Sequence, residues 1–527
     1  MKKITIIFIV IVLTIVSSIV PSINGYYEIE NKIDRNNNIF IEKYPFNKKK
    51  NQQGKSLNTE NQDWIIQTVD SNGFVGYATS LEMDNDNHPH ISYRGNGLNY
   101  AKWTGSNWIL ETVDSSNVSW YNSLELDRND QPHISYHDNN ELKYTSYNGD
   151  TWNFEIIDDG DAGIFSSIMI DNKGNPQIGY VANSNLKYAY YTDNNWNIET
   201  VDNSSNIGRL SIKLDQNNQP HISYYNEDKG DLKYAYYTDN NWNIETVDSE
   251  GDVGFGSSLS LDSNNNPHIA YSGNALMYAK WTGYNWSIES VEDIHEYAGE
   301  GISASLSLDK FDQPHISYFD LVNWDLKYAC IVDNNWRTEK IDSIGDVGLY
   351  TSLELDSGGY PGISYLGNGN LKFAKKNIIP NKPSRPSGEK SGKVGKEYTY
   401  NTNTKDPNGD QIWYKWDWGD DNYSDWLGPY QNNEIARAVH SWDEKDNYEI
   451  RVLAKDEFGT MSEWSDPLEI TMPKSKYLVW STNIISFFLF HIFNSMKYPK
   501  RQLGSNFLNN ASDGFSPISN QRDPCKR

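Results

Sequence analysis

Cysteine is nearly absent. Cys330 and Cys525 are the only two among 527 residues, which excludes a disulfide framework and a cysteine-built zinc site. Methionine is scarce, with 7. Basic charge is in deficit: 46 Lys and Arg stand against 71 Asp and Glu, a formal net charge of −25. A nucleic-acid partner is excluded by that balance, because phosphates need a basic face to meet. Long apolar runs occur only at the two ends. What the chain has in quantity is aromatic side chains, 36 Tyr and 18 Trp, a palette that suits strands better than helices.

The ends come first. Met1-Lys2-Lys3 precedes the uncharged run ITIIFIVIVLTIVSSIV, the form of a secretory signal peptide over residues 1–25, or of an uncleaved anchor. Residues 26–60 are rich in Asn, Lys and Glu without an apolar period and predict a disordered spacer. In the tail, 474–527, residues 477–493 are apolar but interrupted by Ser481, Thr482, Asn483, Ser486 and His491, with Lys497, Lys500 and Arg501 beyond. That stretch reads equally as a weak membrane anchor or a sticky tail. The expected location is extracellular or cell-surface. Sequons at Asn117, Asn203, Asn285 and Asn422 fit an exported chain.

Between the ends runs a repeat. PHISY begins at Pro89, Pro132, Pro220 and Pro314, with variants at Pro176, Pro267 and Pro361, so successive prolines are 43, 44, 44, 47, 47 and 47 residues apart. Each copy holds S-L-x-L-D, as at Ser123 to Asp127, then PHISY. L-K-Y-A follows, as at Leu186 to Ala189, and then N-W-x-I-E-T-V-D, as at Asn195 to Asp202. Short β-branched and aromatic phrases bounded by Asn, Asp and Gly are the strand signal. Four strands in about 45 residues match a propeller blade. The Trp phrase occurs seven times, from Trp64 to Trp336. Its first copy precedes the first S-L-x-L-D, while the last unit ends at Leu371 to Ala374 without one. The N-terminal strand Trp64 to Val69 therefore supplies the outer strand of the last blade. The prediction is an all-β, seven-bladed propeller over 61–376, closed by that strand, with S-L-x-L-D innermost. It resembles the loosely related group of extracellular seven-bladed propellers. The turns before each Trp, as at Thr192 to Trp196, resemble a degenerate Asp-box of sialidase-type repeats, without the full S-x-D-x-G-x-x-W.

Residues 377–394 carry three prolines and read as a linker. From 395 to 473 short alternating strands predict an immunoglobulin-like β-sandwich. Trp416-Asp417-Trp418-Gly419-Asp420-Asp421, then His440-Ser441-Trp442 and the run Tyr448 to Gly459, resemble a PKD (polycystic kidney disease-type) domain, although the family's final Gly is Asp421 here. The resemblance covers about 380–473 and implies spacing, adhesion or carbohydrate contact, not catalysis.

Repetition argues for structure and asymmetry for function. His90, His133, His221, His268 and His315 occupy one equivalent position and read as buried, hydrogen-bonded structural groups. Each inner strand ends in Asp, from Asp84 to Asp356, followed by short Asn- and Asp-rich loops, which read as turns. Calcium is the cofactor these loops could hold, with Asp84 and Asp86, or Asp406 and Asp410 of the second domain, as metal candidates. No catalytic set is assigned, since no G-x-S-x-G, H-E-x-x-H or phosphate loop occurs. The loops into the inner strands break the seven-fold pattern with Phe74, Tyr77, Trp120, Tyr121, Phe165, Arg209, Phe255, Glu300 and Tyr350. From these, Tyr77, Trp120, Arg209, Phe255 and Tyr350 are the ligand-binding candidates, at a mouth that could stack on sugar rings or grip a peptide. The bland alternative is that they plug the channel. The expected function is a monomeric binding or adhesion protein recognising a glycan or an extracellular protein. The alternatives are a secreted polysaccharide hydrolase or lyase acting at the mouth, and a structural envelope component.

Overall fold

The computed structural model describes residues 29–33, 39–43, 63–116, 118–203, 206–293 and 304–472. The signal-peptide and C-terminal anchor expectations lie outside them. The chain divides into two compact units, Met1–Glu60 and Asn61–Arg527. In the first, where a spacer without order is expected, Ile29–Ile33 pairs antiparallel with Ile39–Lys43. Among the described residues no helix is long and apolar enough to cross a membrane.

In the second unit, seven four-stranded antiparallel sheets follow one another along the chain. Each runs from an inner strand outward through PHISY and L-K-Y-A to the Trp strand. Blade 1 comprises Tyr77–Met83, Pro89–Gly95, Gly97–Trp103 and Trp108–Asp114. Blade 7 comprises Val347–Leu355, Pro361–Gly367 and Asn370–Lys376, and its fourth strand is Trp64–Asp70, paired through Ile66 with Ala374 and Asp70 with Leu371. Middle strands are buried on both faces, so Pro176–Ala182 is buried along its whole length. Trp108–Asp114 on the outside is largely exposed.

Polar bonds lace each blade to the next, and the phrase that repeats in sequence is the phrase that makes them. The serine of S-L-x-L-D accepts the backbone N–H of the following blade's inner strand: Leu124 N to Ser80 Oγ is 3.0 Å and Ile168 N to Ser123 Oγ is 3.2 Å. Five further copies follow, the last from Leu81 N of blade 1 to Ser352 Oγ of blade 7, 3.0 Å. Each PHISY tyrosine donates to the acid ending the previous blade's outer strand, as Tyr136 to Asp114 at 2.8 Å and Tyr271 to Asp248 at 2.7 Å. Tyr93 to Asp70, 2.7 Å, is the copy between blades 1 and 7. Each L-K-Y-A aromatic also meets the next blade's tryptophan edge-on, as Tyr144 with Trp196 at 5.4 Å.

The histidines are structural partners in this lattice. His90, His133 and His268 each place Nδ1 2.5 Å from a tyrosine hydroxyl of the third strand, Tyr100, Tyr144 and Tyr278. His221 and His315 pair likewise with Tyr234 and Tyr328. In blade 3 Gln177 takes over, accepting from Tyr188. In blade 7 the position is Gly362, and the tyrosine is replaced by Phe373, which the glycine contacts instead.

Past Lys376 the chain runs directly into the second fold. Sheets of four strands (Ile412–Asp417, Leu427–Tyr430, Asp446–Asp456, Leu468–Met472) and two strands (Tyr398–Thr402, Ala436–His440) enclose a core of Tyr400, Trp416, Trp418, Trp442, Ile450 and Val452. The proline-rich 377–394 segment is held along this fold by backbone bonds such as Asn381 N to Lys405 O and Ser384 N to Asn403 O, both 2.9 Å.

Candidate functional site

The inner strands have period two, so the ring serines, the residues two before them and the residues two after them share the axial side. The residues two before are Ala78, Tyr121, Phe165, Arg209, Gly256 and Tyr350 in six blades. All six line a cavity of about 150 Å³ at the axial end where the chain enters the inner strands. Ala78, Gly256 and Tyr350 have φ of 48°, 62° and 53°. The left-handed backbone there interrupts the ladder to the second strand and turns these residues inward, as bulges next to sites do.

Arg209 dominates the cavity. Its guanidinium carbon lies 5.0 Å from the ring centres of both Tyr121 and Phe255, within cation–π range. Its Nη2 donates to Tyr121 Oη at 3.0 Å, while Nε is buried with no partner. Tyr121 packs on Phe165 at 4.5 Å. Across the opening, Tyr77 and Tyr350 meet at 5.8 Å, and the Arg94 guanidinium lies 5.9 Å from the Tyr77 ring. The candidates Tyr77, Arg209, Phe255 and Tyr350 thus sit in two clusters: Arg209 with Phe255, and Tyr77 with Tyr350. Of these four, Arg209 and Tyr350 line the cavity itself. The Trp120 side chain and Glu300 lie outside the described residues.

Below the serine ring the variable x of S-L-x-L-D faces the axis. Here the fold gathers Glu82, Glu125 and Glu354 with one lysine, Lys213, a set that reading the sequence missed. Each retains partial exposure to the axial channel, with protein on the other sides. Burial pushes Glu82 well above the usual carboxylate range, Glu125 to about 7 and Glu354 upward. Glu125 and Glu354 add to the rise at Glu82, and Glu354 adds to that at Glu125, while Lys213 opposes it in all three. Lys213 is itself raised: burial works against its charge, and the three glutamates outweigh it. The signal was available, because x is the position of that phrase that changes between acid and base.

The metal candidates differ in setting. Asp84 Oδ1 accepts Asp86 N at 2.9 Å and His88 N at 2.7 Å, and Oδ2 faces His90 Nε2 at 3.3 Å. The same cap recurs in all seven inner-strand turns, and Asp86 is exposed. Asp84 therefore spends its oxygens on a turn. Asp406 and Asp410 are brought together and buried at the junction of the propeller and the sandwich, each with an Oδ2 that has no hydrogen-bond partner. Burial, followed by Asp410, pushes Asp406 to about 7. Lys375 Nζ meets Asp410 Oδ1 at 2.9 Å and supplies positive charge there. Among the described residues no group of three or more His, Cys, Asp or Glu is arranged to hold a metal ion, and two carboxylates fall short of the six to eight oxygens calcium takes.

No family model matches the chain, and no curated protein matches it. Among solved structures, the PKD domain of an M14-like peptidase from Thermoplasmatales archaeon SCGC AB-540-F20 is 43% identical, over 19% of this chain and 99% of that one, with a TM-score of 0.18. YCF48 from Cyanidioschyzon merolae is 9% identical over 59% of this chain and 98% of that one, with a TM-score of 0.40. A triple arginine-to-alanine mutant of AofleA from Arthrobotrys oligospora is 13% identical over 54% of this chain and 90% of that one, with a TM-score of 0.39. The propeller class rests on the strand order of the chain itself.

Proposed function

We propose that this is an exported binding protein that takes its ligand at the mouth of the propeller, with the PKD-like sandwich as spacer or co-adhesin. The observation that carries the reading is the asymmetry of the mouth. Seven nearly equivalent strands present serine at one level, yet two residues earlier six of them present Arg, Tyr and Phe beside Ala and Gly around a cavity. Packing alone would favour the same residue in each copy. Aromatic faces beside small polar groups are the usual furniture of a specific pocket. A glycan is the favoured ligand class and an extracellular protein the other.

A second reading, a polysaccharide hydrolase or lyase, is favoured by Glu125, which converges on the axis with Glu82 and Glu354 and whose raised pKa of about 7 suits a general acid. A glycan array probed with the full chain and with Tyr350→Ala tests the first reading: retained hits that the substitution abolishes support it, and hits indifferent to it overturn the assignment to the mouth. Release of reducing ends from an array-positive polysaccharide, lost in Glu125→Gln, would move the conclusion to the enzyme.

A further inference from the structure

We infer that the mouth selects a carboxylate, and that its ligand is a single uronate residue at the end of a glycan, held by Arg209. This rests on the mouth being the binding site.

A guanidinium is charged at every relevant pH and carries five N–H donors. Among the described residues Arg209 makes one hydrogen bond, to Tyr121, and forms no ion pair. Arg209 is only part-exposed, and leaving its buried Nε–H without a partner is unfavourable. The cost is held in place by construction. Tyr121 and Phe255 flank the group at 5.0 Å each and hold it at the cavity wall, so that a ligand meets the terminal nitrogens and not the buried Nε. A planar fork fixed in this way matches a carboxylate with two parallel bonds.

Three features narrow the ligand further. The cavity, about 150 Å³, lies below the roughly 300–1,000 Å³ of pockets that enclose drug-sized molecules, so it takes one terminal residue and not a length of chain. The polar side chains of Thr79, Asn122, Ser166 and Thr351 at its wall are spent on bonds within and between blades, which leaves the Arg209 guanidinium to fix a ligand's polar end and the Tyr121, Phe165 and Tyr350 rings to meet the face of a sugar ring. Beneath it lie Glu82, Glu125 and Glu354 with one cation, Lys213; a second negative charge on the ligand would be repelled wherever these carboxyls ionise, so a monoanion is preferred to a sulfate- or phosphate-rich group.

Calorimetric titration of the full chain decides the matter with four probes: methyl glucuronoside, its methyl ester, methyl glucoside, and acetyl-dialanine as a peptide carboxylate. The expected result is millimolar or tighter binding of methyl glucuronoside, at least about tenfold weaker binding of the ester and glucoside, and loss of that preference in Arg209→Gln, with partial retention in Arg209→Lys. The acid–ester comparison uses the unaltered chain, so it stands even if Arg209→Gln fails to fold. Equal binding of acid and ester overturns the carboxylate while leaving a sugar-binding mouth intact. A folded Arg209→Gln that keeps the preference overturns the assignment to Arg209. Binding of acetyl-dialanine alone, or of no probe at millimolar concentration, overturns the uronate. Glycan-array hits lost in Tyr350→Ala but not in Arg209→Gln would sink this inference and spare the broader one.

Discussion

At the scale of single residues, the propeller is held by bonds made with phenols and carboxylates that a reader of sequence would assign to the surface. Tyr271 is fully buried, and its hydroxyl reaches Asp248, itself 8% exposed, in the preceding blade. A hydrogen bond to a charged acceptor contributes about 1.5–3 kcal/mol net. Tyr271→Phe removes the donor and leaves a desolvated carboxylate one partner short. It is expected to lower unfolding stability by about 2 kcal/mol in a denaturant titration without changing the slope. A change below about 0.5 kcal/mol would mean that the lacing is incidental to packing. The histidines allow a second test, because blade 3 has already made the substitution: Gln177 holds Tyr188 where His221 holds Tyr234. Burial lowers His221 to about 4, so between pH 6.5 and 4 the unfolded chain binds a proton that the folded chain refuses. Stability is therefore full above about 6.5 and falls with pH through that window, by about 2–3 kcal/mol for this group at the acid end. His221→Gln should keep the tyrosine bond and flatten that part of the acid slope, read from denaturation midpoints at pH 7 and pH 4.5.

At the scale of elements, the repeat made the strands, their order and the swapped outer strand legible, because each copy states the same pattern of buried and bonded positions and the offset at the ends leaves one phrase over. Trp64 shows why the offset matters. It is 6% exposed, donates Nε1 to Glu339 at 3.1 Å, packs edge-on against Tyr328 at 5.4 Å and receives Lys376 over its face at 5.0 Å. A chain beginning after Asp70 would lose these contacts and leave Asn370–Lys376 as an unpaired edge, a template for intermolecular pairing. Such a truncation is expected to elute as soluble aggregate in size-exclusion chromatography, where the longer chain does not. Equal elution of both would show that the outer strand is dispensable. The exception at Gly362 was visible as a departure but not interpretable from sequence, since its compensation, Phe373 in place of tyrosine, lies on the neighbouring strand and only strand pairing brings the two together. A Cβ at Gly362 would meet the Met83 methyl at 2.3 Å and Phe373 Cζ at 3.0 Å. The Met83 methyl is the end of a flexible side chain and can move aside, so Gly362→Ala should cost no more than about 1 kcal/mol, from the shift asked of Phe373, an outcome measurable in the same titration as Tyr271→Phe.

At the scale of the whole molecule, the axis is where sequence reading ran out. The aromatic residues and Arg209 were visible because they break a pattern, whereas Glu82, Glu125 and Glu354 look like solvated positions of a strand until seven copies are turned inward around one line. Their convergence has a consequence opposite in sign to that of the histidines. Glu125 is raised to about 7 by burial, then by Glu354, with Lys213 opposing. Between pH 4.5 and 7 the folded chain keeps a proton that the unfolded chain releases, so this group's contribution is fully present below about 4.5 and is lost as pH rises through 7. Histidine burial penalises acid and glutamate convergence penalises base, so stability should peak inside the window between them instead of climbing steadily from pH 4.5 to 8. Glu125→Gln removes one of the converging charges without emptying its place. It should raise stability at pH 8, where the carboxylates repel, and change little at pH 5, where the native side chain already carries its proton. Denaturation midpoints of both chains at the two pH values give the comparison. A gain that is equal at pH 5 and pH 8 would mean that packing, not charge, distinguishes the two side chains, and that the axial glutamates do not sense one another.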